Sequence, residues 1–563
     1  MDSFVFPDPP SAKALEWPGR PIGSDNVITR TKTRLAARDV SIDRVEGRRD
    51  ELVASAVEHV VRHAGTEPLA LCDAVIHGVR VRAVTNSAHL AQFWSAHWHR
   101  PDEWRRATGL APPPRPQVTV YAIGGVADQQ EGVYYSHRTA TVVLFNTSYY
   151  GELLSAALAA VGRLLAEERG IHTIHGGCVG VRDGGVLCIG PSGLGLSGAA
   201  FELAAGDSGA RFVSHDTVHV RYTLATRDGR RVAPFLVVPT HGRPVRGFRV
   251  FRWLERHRGA GGQMRAVGLD HAEISTHVSA LDLGQPVEAY AYASARREYV
   301  RTDVAAAVPA IATGLLRAPL ENVPEVAPDW LGSHAAALEA LVNAVRSAAG
   351  DAETGEERDA LRARLGALLA TPSARAMLDL APGPLSKQVV TNPMEGMRVS
   401  TVMLFRRDPR DRTVLGPLPL AQFVERLLIG EGPGGTREVA YNPDRAASPQ
   451  AERAAMDALV RETAGGRGGA EALYHAFERS PAVPPTLTLE GELFRVLHRA
   501  AECYDLNAVV DTDPEVRDAS EARALTNELV VRAAAARGGD LRLDLRGYRR
   551  ALAAATPPAA EPA

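Results

Sequence analysis

Lysine is almost absent from this 563-residue chain, which has only Lys13, Lys32 and Lys387 among its 64 basic residues. Arginine therefore supplies nearly all of the positive charge, and the many alanines, glycines and prolines indicate a GC-rich coding genome. The 66 acidic residues leave a net charge of -2, which argues against a general nucleic-acid binder. The hydrophobic fraction of 45% and the charged fraction of 23% are typical of a globular protein.

Cysteine is scarce as well, and long apolar runs are missing. The four cysteines, Cys72, Cys178, Cys188 and Cys503, cannot form a disulfide framework, and none has the C-x-x-C spacing of a zinc or redox motif. No basic segment followed by an apolar run marks a signal peptide near the N-terminus. No stretch of about 20 apolar residues could span a membrane. The sequence therefore predicts a cytoplasmic protein without a membrane partner.

Composition divides the chain into five segments. Residues 1–20 are proline-rich and are expected to form a flexible arm, and residues 21–115 are expected to form an N-terminal α/β domain. Residues 116–325 contain the strongest motifs and are expected to form the central domain. Alanine- and arginine-rich periodicity predicts a mostly helical region over 326–553, and the tail 554–563 is expected to be disordered.

Hydrophobic periodicity places individual elements. Apolar residues spaced at i, i+4 and i+7 predict an amphipathic helix over 152–168. A short apolar run over 185–190 predicts a strand that leads into a glycine-rich loop and a helix, and 211–223 predicts one or two more strands. The same patterns predict strands at 79–84, 118–123 and 141–146 and helices at 51–63, 88–97, 335–349, 356–370, 451–464 and 516–537.

The strongest motif is the run Gly190-Pro191-Ser192-Gly193-Leu194-Gly195-Leu196-Ser197. It fits the phosphate-loop pattern G-x-x-x-x-G-K-[ST] except at the lysine, where Leu196 stands. The backbone N–H groups of such a loop, together with the positive end of the following helix, attract polyphosphate. A plain glycine-rich turn between strand and helix is the alternative. A dinucleotide site is a weaker alternative, because residues 193–198 also spell G-x-G-x-x-G.

Two flanking segments add groups that could bind a divalent metal. His175 precedes the strand that leads into the loop, and Ser214-His215-Asp216 ends a predicted strand after it. In phosphate-loop proteins an acidic residue at such a strand end holds the metal. A histidine, a carboxylate and the Ser197 hydroxyl together predict a site for Mg²⁺ or Mn²⁺. His215 is a candidate proton-transfer group, since imidazoles transfer protons near neutral pH.

The order of these motifs resembles a known family. The stretch NTSYYGELLSAALAAVGRLLAEERGIHTIHGGCVGVRDGGVLCIGPSGLGLSG resembles the core of the ATP-dependent phosphoenolpyruvate carboxykinases. In that family N-T-x-Y-x-G-E-x-K-K leads to a metal-binding histidine, then to the phosphate loop and an acidic pair. VRVRAVTNSAHLAQFWSAHWHRP (79–101) and the L-E-N-V at 320–323 resemble further family segments. HPr kinases share the strand-loop-helix core, so the resemblance is to the wider superfamily; it covers 70–225 well and 226–325 weakly.

The resemblance implies roles for individual residues. His175 matches the metal-binding histidine, Ser197 the metal-binding hydroxyl and Asp216 the second acidic residue, while His215 stands at the first acidic position. The nucleotide would lie on the loop residues Gly190, Ser192, Gly193, Leu194, Gly195, Leu196 and Ser197. The resemblance therefore implies ATP, or another nucleoside triphosphate, as the cofactor together with Mg²⁺ or Mn²⁺.

Three cationic positions of the family have lost their charge. The paired lysines fall on Leu154 and Ser155, and the loop lysine falls on Leu196. A lysine about 4 Å from a phosphate contributes on the order of 4 kcal/mol at an effective dielectric constant of 20. Because phosphoryl transfer depends mainly on such stabilisation, ordinary carboxykinase activity is not expected. Arginines in 243–252 or 296–301 could replace the lysines, or could simply form a solvated basic surface.

The sequence therefore predicts an α/β fold with a mixed-sheet, carboxykinase-like phosphate-loop core and a helical C-terminal region. The predicted function is that of a divergent, metal-assisted, nucleotide-dependent phosphotransferase, with a small molecule or a protein hydroxyl as the acceptor. The alternative is a catalytically inactive nucleotide-binding or scaffold protein with the same fold. The loss of three lysines favours this alternative, whereas the presence of His175, Ser197 and Asp216 favours catalysis.

Overall fold

The computed structural model is an α/β structure that contains a five-stranded sheet, a fourteen-stranded sheet and a two-stranded sheet. The arm 1–20 and the tail 554–563 lie outside the residues that it describes. The described residues are 43, 45–147, 149–182, 184–190, 200–201, 203–204, 209–246, 249–301, 312, 314, 328–349, 355–370, 375–378, 389–408, 410–429, 449–463, 469–508, 516, 519–536 and 541–544.

The five-stranded sheet consists of β1 (Ala70–Ile76), β2 (Val79–Thr85), β3 (Val118–Ile123), β4 (Gly132–Ser136) and β5 (Thr141–Phe145). Its strand order is β1-β2-β3-β5-β4. The outer pairs β1–β2 and β4–β5 are antiparallel, whereas β2–β3 and β3–β5 are parallel. The predicted strands at 79–84, 118–123 and 141–146 are thus confirmed as three central members of this sheet.

Helices cover both faces of this sheet. They are α1 (Arg48–Arg62), α2 (Ala88–His97), α3 (Pro101–Thr108) and α4 (Tyr150–Leu164), which continues into a π-helical turn (Leu165–Arg169). Along β5, Val142 and Leu144 belong to the same apolar core as α2 and α4. Val143 and Phe145 point to the opposite face and pack against α1. The alternation follows from the two-residue period of a strand, so each face buries its own set of side chains.

The fourteen-stranded sheet forms the centre of the protein. Its strands are β6 (Ile171–His175), β7 (Gly177–Val181), β8 (Gly184–Ile189), β9 (Arg211–Ser214), β10 (Thr217–Ala225), β11 (Arg231–Pro239), β12 (Val245–Arg246), β13 (Gly262–Gly268), β14 (Glu273–His277), β15 (Glu288–Ala293), β18 (Met397–Arg406), β19 (Thr413–Pro417), β20 (Glu502–Asn507) and β21 (Leu543–Asp544). Two further strands, β16 (Glu298–Arg301) and β17 (Arg375–Leu378), pair only with each other among the described residues.

Strand β8 leads into the predicted phosphate loop. It pairs antiparallel with β7 on one side and parallel with β18 on the other. Strand β18 in turn pairs parallel with β20 and antiparallel with β15. Beyond β15, strands β10, β11, β13 and β14 form an antiparallel wing. The sheet is therefore mixed, and the parallel pairs β8–β18 and β18–β20 share strand β18.

The remaining described helices are α5 (Arg249–Arg256), α6 (Pro328–Ser333), α7 (Ala335–Ala349), α8 (Gly355–Ala370), α9 (Leu420–Val424) with a following π-helical turn (Glu425–Ile429), α10 (Pro449–Thr463), α11 (Gly469–Arg479), α12 (Pro485–Ala500) and α13 (Ala519–Ala535). The predicted helices at 335–349, 356–370, 451–464 and 516–537 are confirmed within a few residues. Within the described ranges, every helix is too short or too polar to cross a bilayer.

The described part of the segment after residue 325 is mostly helical, but it also contributes strands to the central sheet. Strands β18 and β20 come from the C-terminal segment and complete the central sheet, with Leu404 opposite Ile189 of β8. The second half of β18 is buried on both faces and has the continuous apolar run 402–405, whereas β20 is short and mixes polar with apolar residues. Such short runs do not distinguish a strand from a buried helix in a sequence that is otherwise rich in helical periodicity.

Candidate functional site

Two turns of the central sheet meet beside the end of β8. One turn joins β6 to β7 at Gly176, and the other joins β9 to β10 at His215 and Asp216. Because β6 pairs with β10, His175 lies opposite Thr217. The Gly176 N–H donates a hydrogen bond of 3.0 Å to the Asp216 carbonyl oxygen. This register brings the His175 Nδ1 atom to 3.8 Å from the Asp216 Oδ1 atom.

Close backbone packing places this pair at the carboxyl end of β8. A Cβ atom on Gly176 would lie only 2.5 Å from the Cys188 carbonyl oxygen, so glycine is required at that turn. Asp216 has a φ of +74°, a left-handed conformation that a short polar side chain tolerates better than most others. The predicted metal ligands His175 and Asp216 are therefore neighbours at the strand end from which the predicted loop departs.

The predicted nucleotide loop itself is described only at its first residue. Gly190 directly follows β8, whereas Ser192, Gly193, Leu194, Gly195, Leu196 and Ser197 lie outside the described residues. Residues 200 and 201 are helical, so a strand precedes the loop sequence and helix follows it. Phe201 stacks on Phe212 with ring centroids 4.9 Å apart and lies 5.5 Å from the His215 ring. These contacts join the segment after the loop to the turn that carries His215.

Two buried groups that the sequence did not identify complete the site. The His215 Nδ1 atom lies 3.4 Å from the Oε2 atom of Glu298, the first residue of β16. Burial raises the pKa of the Glu298 carboxyl, although His215 acts in the opposite direction. Burial also lowers the pKa of His97 to about 3, although the Asp216 carboxylate opposes that effect. His97 is therefore neutral at physiological pH and lies within electrostatic range of both His215 and Asp216.

The sequence contains only weak indications that His97 and Glu298 belong to the site. His97 belongs to the 79–101 segment that resembles the carboxykinases, and Glu298 stands between arginines in the run SARREYVRTD. The structure connects the two segments, because the Arg296 N–H donates a hydrogen bond of 2.8 Å to the His97 carbonyl oxygen. The sequence assigns neither residue a role, so only the tertiary contact identifies them as part of the site.

The positions where the resemblance would place paired lysines, 154 and 155, are not exposed surface positions. Leu154 is 4% exposed and belongs to the apolar core between α4 and the five-stranded sheet, while Ser155 is half-buried. A cation at position 154 would therefore be desolvated, which costs several kcal/mol unless an acidic partner compensates. The surroundings of Leu154 therefore leave no room for a solvated lysine at that position.

Several of the arginines considered as replacements are engaged elsewhere. The Arg252 guanidinium pairs with Glu492 and lies 2.8 Å from Glu478. The Arg296 Nη1 atom lies 3.0 Å from Glu103 on α3. Arg297 is half-buried and directly precedes Glu298, which makes it the arginine of these clusters that is nearest in sequence to a site carboxylate.

A second group of side chains that could bind a metal lies at α1, on the face of the five-stranded sheet opposite to α2 and α4. His59, His63 and Glu67 each offer one donor atom, and these atoms lie within 4.8 Å of one another. The His59 Nε2 atom is 3.2 Å from Glu67 Oε2, and His63 Nδ1 donates to the His59 carbonyl oxygen over 2.9 Å. Two imidazoles and one carboxylate form a donor set that suits zinc better than magnesium. Metal binding at this cluster must therefore be separated from binding at His175 and Asp216.

The end of β8 brings together two candidate metal ligands, the imidazole of His215 and the buried carboxyl group of Glu298. His175 and Asp216 are the described ligand candidates, while His215 contacts Glu298 and faces the same strand end. Searches against protein-family models and against curated proteins find no match for this chain.

Proposed function

We propose that this protein is a metal-assisted, nucleotide-dependent phosphotransferase of the kinase type, related to the carboxykinase and HPr kinase superfamily. One observation carries the proposal: His175 and Asp216 lie 3.8 Å apart at the carboxyl end of the buried strand that leads into the glycine-rich motif. Ligands are bound preferentially at such strand ends in α/β sheets. The nucleotide would lie on Gly190 and the motif residues up to Ser197, with ATP and Mg²⁺ or Mn²⁺ as cofactors.

The donor atoms fit a divalent metal. Ligand distances to Mg²⁺ and similar ions are about 2.1 Å, so two donors on one ion are at most about 4.2 Å apart. The observed 3.8 Å between His175 Nδ1 and Asp216 Oδ1 lies within that limit. The Ser197 hydroxyl is proposed as the third ligand from the motif. When bound, the metal would neutralise the charge of the polyphosphate and fix its orientation.

His215 is proposed as the proton acceptor. In phosphoryl transfer the acceptor oxygen forms a bond to the γ-phosphorus while the bond to the bridging oxygen of the nucleoside diphosphate breaks. The hydroxyl proton of the acceptor would pass to the imidazole of His215. The contact of 3.4 Å between His215 and Glu298 would hold the ring in place and stabilise the imidazolium that forms. The acceptor is proposed to be a small molecule or a protein hydroxyl.

The second candidate is a nucleotide-binding protein without catalytic activity, and the core position of Leu154 favours it. A site that has lost lysines at positions 154, 155 and 196 lacks the charge that stabilises the transferring phosphate. The two candidates share the nucleotide and the metal and differ only in turnover. They are therefore separated by measuring binding and chemistry on the same sample.

The test is a calorimetric titration with ATP in the presence of Mn²⁺, followed by phosphorus NMR for turnover. The background is the His63→Ala variant, which disables the second metal-ligating cluster. In this background we expect Asp216→Asn to weaken Mn²⁺-dependent ATP binding at least about tenfold, since it removes a charged ligand. Asp270→Asn is the matched control, because Asp270 is exposed on a different turn, and no change is expected.

Each outcome has a defined meaning. ATP binding with phosphate transfer that is lost in Asp216→Asn supports the phosphotransferase. Binding without turnover on hydroxyl acceptors supports the inactive nucleotide-binding protein. Absence of ATP binding contradicts both candidates, and unchanged binding in Asp216→Asn shows that the site residues are wrongly identified.

A further inference from the structure

A cleft of about 540 Å³ lies between the β1–β2 turn and the antiparallel wing of the central sheet. Its polar lining includes His77 from the turn, Arg221 from β10 and His271 from the turn between β13 and β14. Its apolar lining includes Trp104 from α3 and Phe235 from β11. Clefts of this size with a few converging polar groups are typical of small-molecule sites.

Arg221 is the decisive group in this cleft. It is 4% exposed, and its contacts to the described residues are to a histidine and a tyrosine ring and not to a carboxylate. Its Nη1 atom donates a hydrogen bond of 3.2 Å to His271 Nδ1, and its guanidinium lies 5.4 Å from the Tyr292 ring centroid. Its Nε atom is buried and has no hydrogen-bond partner among the described residues. A guanidinium remains charged in a protein, so this buried cation lacks a compensating anion.

His77 presents a second set of unsatisfied polar atoms. It is 2% exposed, and both ring nitrogens lack a hydrogen-bond partner among the described residues. Its φ of +44° is that of a two-residue hairpin turn between β1 and β2, which fixes the position of the ring. Burial lowers the pKa of His77 well below its ordinary value, so the ring is neutral and offers one N–H donor. The neighbouring Gly78 continues the tight turn with a φ of +79°.

The inner end of the cleft, where Arg221 and His77 lie, is predominantly positive. Arg169 and Arg265 also line it, together with Glu168 and Glu273. Glu273 is already paired with Arg265 over 3.0 Å, and Glu168 is exposed. Arg169 acts electrostatically on both Arg221 and His77, so its charge adds to that of Arg221. The inner end of the cleft therefore favours an anion.

We propose that this cleft binds a small organic carboxylate, whose carboxylate group pairs with Arg221 and whose apolar part lies against Trp104 and Phe235. The His77 ring would donate a further hydrogen bond to the carboxylate. The apolar lining at Trp104 and Phe235 favours an organic anion over inorganic phosphate, which has no apolar part to bury there. A planar guanidinium also binds carboxylate through two parallel hydrogen bonds.

This site is separate from the proposed nucleotide site and does not depend on it. Arg221 follows Thr217 by four residues along β10, a distance of about 13 Å along the strand. Strand β10 connects the two sites: it begins at the turn that carries His215, and Arg221 farther along the strand lines the cleft. The proposal therefore stands or fails by direct binding, whatever activity the nucleotide site has.

The test is calorimetric titration of the full chain with benzoate and 3-phenylpropionate. We expect saturable binding with a dissociation constant of about 1 mM or tighter. Benzamide, the neutral analogue, and inorganic phosphate should bind at least tenfold more weakly. Arg221→Met is expected to weaken benzoate binding at least tenfold, while Arg227→Met, at an exposed position just after β10, should leave it unchanged.

Stability provides an independent readout. Because Arg221→Met removes an uncompensated buried charge, chemical unfolding of the free variant should show equal or greater stability than the wild type. A purely structural arginine would instead be required for stability. The His77→Asn variant keeps a residue that tolerates the left-handed conformation, and its benzoate affinity should fall about 2- to 10-fold through loss of one donor.

Three results would overturn the proposal. The first is that the wild type shows no saturable carboxylate binding. The second is that benzoate affinity is unchanged in both Arg221→Met and His77→Asn. The third is that Arg221→Met is markedly less stable than the wild type while His77→Asn binds benzoate with unchanged affinity. Preference for inorganic phosphate over benzoate would overturn the choice of a carboxylate as ligand.

Discussion

Replacement of Asp505 by asparagine is expected to lower the free energy of unfolding by about 3–5 kcal/mol. Asp505 lies on β20 and accepts hydrogen bonds from Arg406, at the end of β18, and from Arg426, in the π-helical turn after α9. Both arginines are nearly buried, with side chains 5% and 7% exposed. Removing the carboxylate charge takes this counter-charge from both buried guanidiniums. Arg406 keeps Asp408 and Asp411 as partners, so we expect the desolvation penalty to come mainly from Arg426.

The loss of local stability in Asp505→Asn should be greatest in the strands near the candidate site. Strand β18 lies between β20 and β8, so the Asp505 interactions hold the parallel strands from which the predicted loop departs. Unfolding in guanidinium chloride, followed by circular dichroism, measures the change in free energy. Hydrogen exchange should show that the amides of β8 and β18 exchange faster in Asp505→Asn, as expected if this network stabilises both strands locally.

A surface pair provides the control for this prediction. Glu58 and Arg62 on α1 lie 2.6 Å apart, but their side chains are 71% and 62% exposed. Water screens such a pair, so Glu58→Gln should change stability by less than about 1 kcal/mol. A loss of similar size in both variants would mean that burial of the Asp505 network is not what makes it stabilising.

Local periodicity predicted the helices well because it depends only on neighbouring residues. In α4 and its π-helical turn, Leu154, Leu158, Val161 and Leu165 are all buried, as their spacing predicted. The long C-terminal helices such as α7 (Ala335–Ala349) begin and end close to the predicted residues for the same reason. A stripe of apolar side chains must be covered, and the sequence alone shows where the stripe runs.

Long-range pairing could not be predicted in the same way. Ile189 of β8 and Leu404 of β18 are neighbours in the sheet although more than 200 residues separate them in sequence. Motif order indicated that His175 and Asp216 belong to one site, because both flank the same glycine-rich run. Glu298 and His97 carry no such motif, and only the folded chain brings their segments to His215.

The carboxylate cleft illustrates a limit of motif analysis. Arg221 and His77 come from different sheets, and neither stands out in a chain so rich in arginine. What distinguishes Arg221 is burial without an anion, a property of the folded structure alone. Arginines in the 243–252 cluster attract more attention in the sequence, yet Arg252 already has acidic partners.

Acidification is expected to destabilise the fold from about pH 6.5 downward through its buried histidines. Burial lowers the pKa of His219 to about 3, that of His97 to about 3 and that of His99 to about 4. In the unfolded chain each imidazole has a pKa of about 6.5. Between the folded-state and unfolded-state pKa values, the unfolded chain binds a proton that the folded protein does not. The free energy of unfolding is therefore highest above pH 6.5 and decreases as the pH falls.

The contribution of His219 can be measured separately. Its Nδ1 atom lies 3.0 Å from Thr173 Oγ1, and its ring lies 4.8 Å from that of His77. Asparagine can keep the contact to Thr173 without titrating. Each buried histidine contributes a slope of up to about 1.4 kcal/mol per pH unit below 6.5. The free energy of unfolding of His219→Asn should therefore fall less steeply than that of the wild type between pH 6 and pH 4.5.

The slope, rather than the absolute stability, is the decisive quantity for this prediction. His219→Asn loses packing in a fully buried position, so its curve should lie below that of the wild type at pH 7.5 and converge with it on acidification. His475→Asn on the exposed face of α11 is the control and should give a curve parallel to the wild type. Parallel curves for His219→Asn as well would mean that His219 is protonated in the folded protein and that its burial does not resist acid.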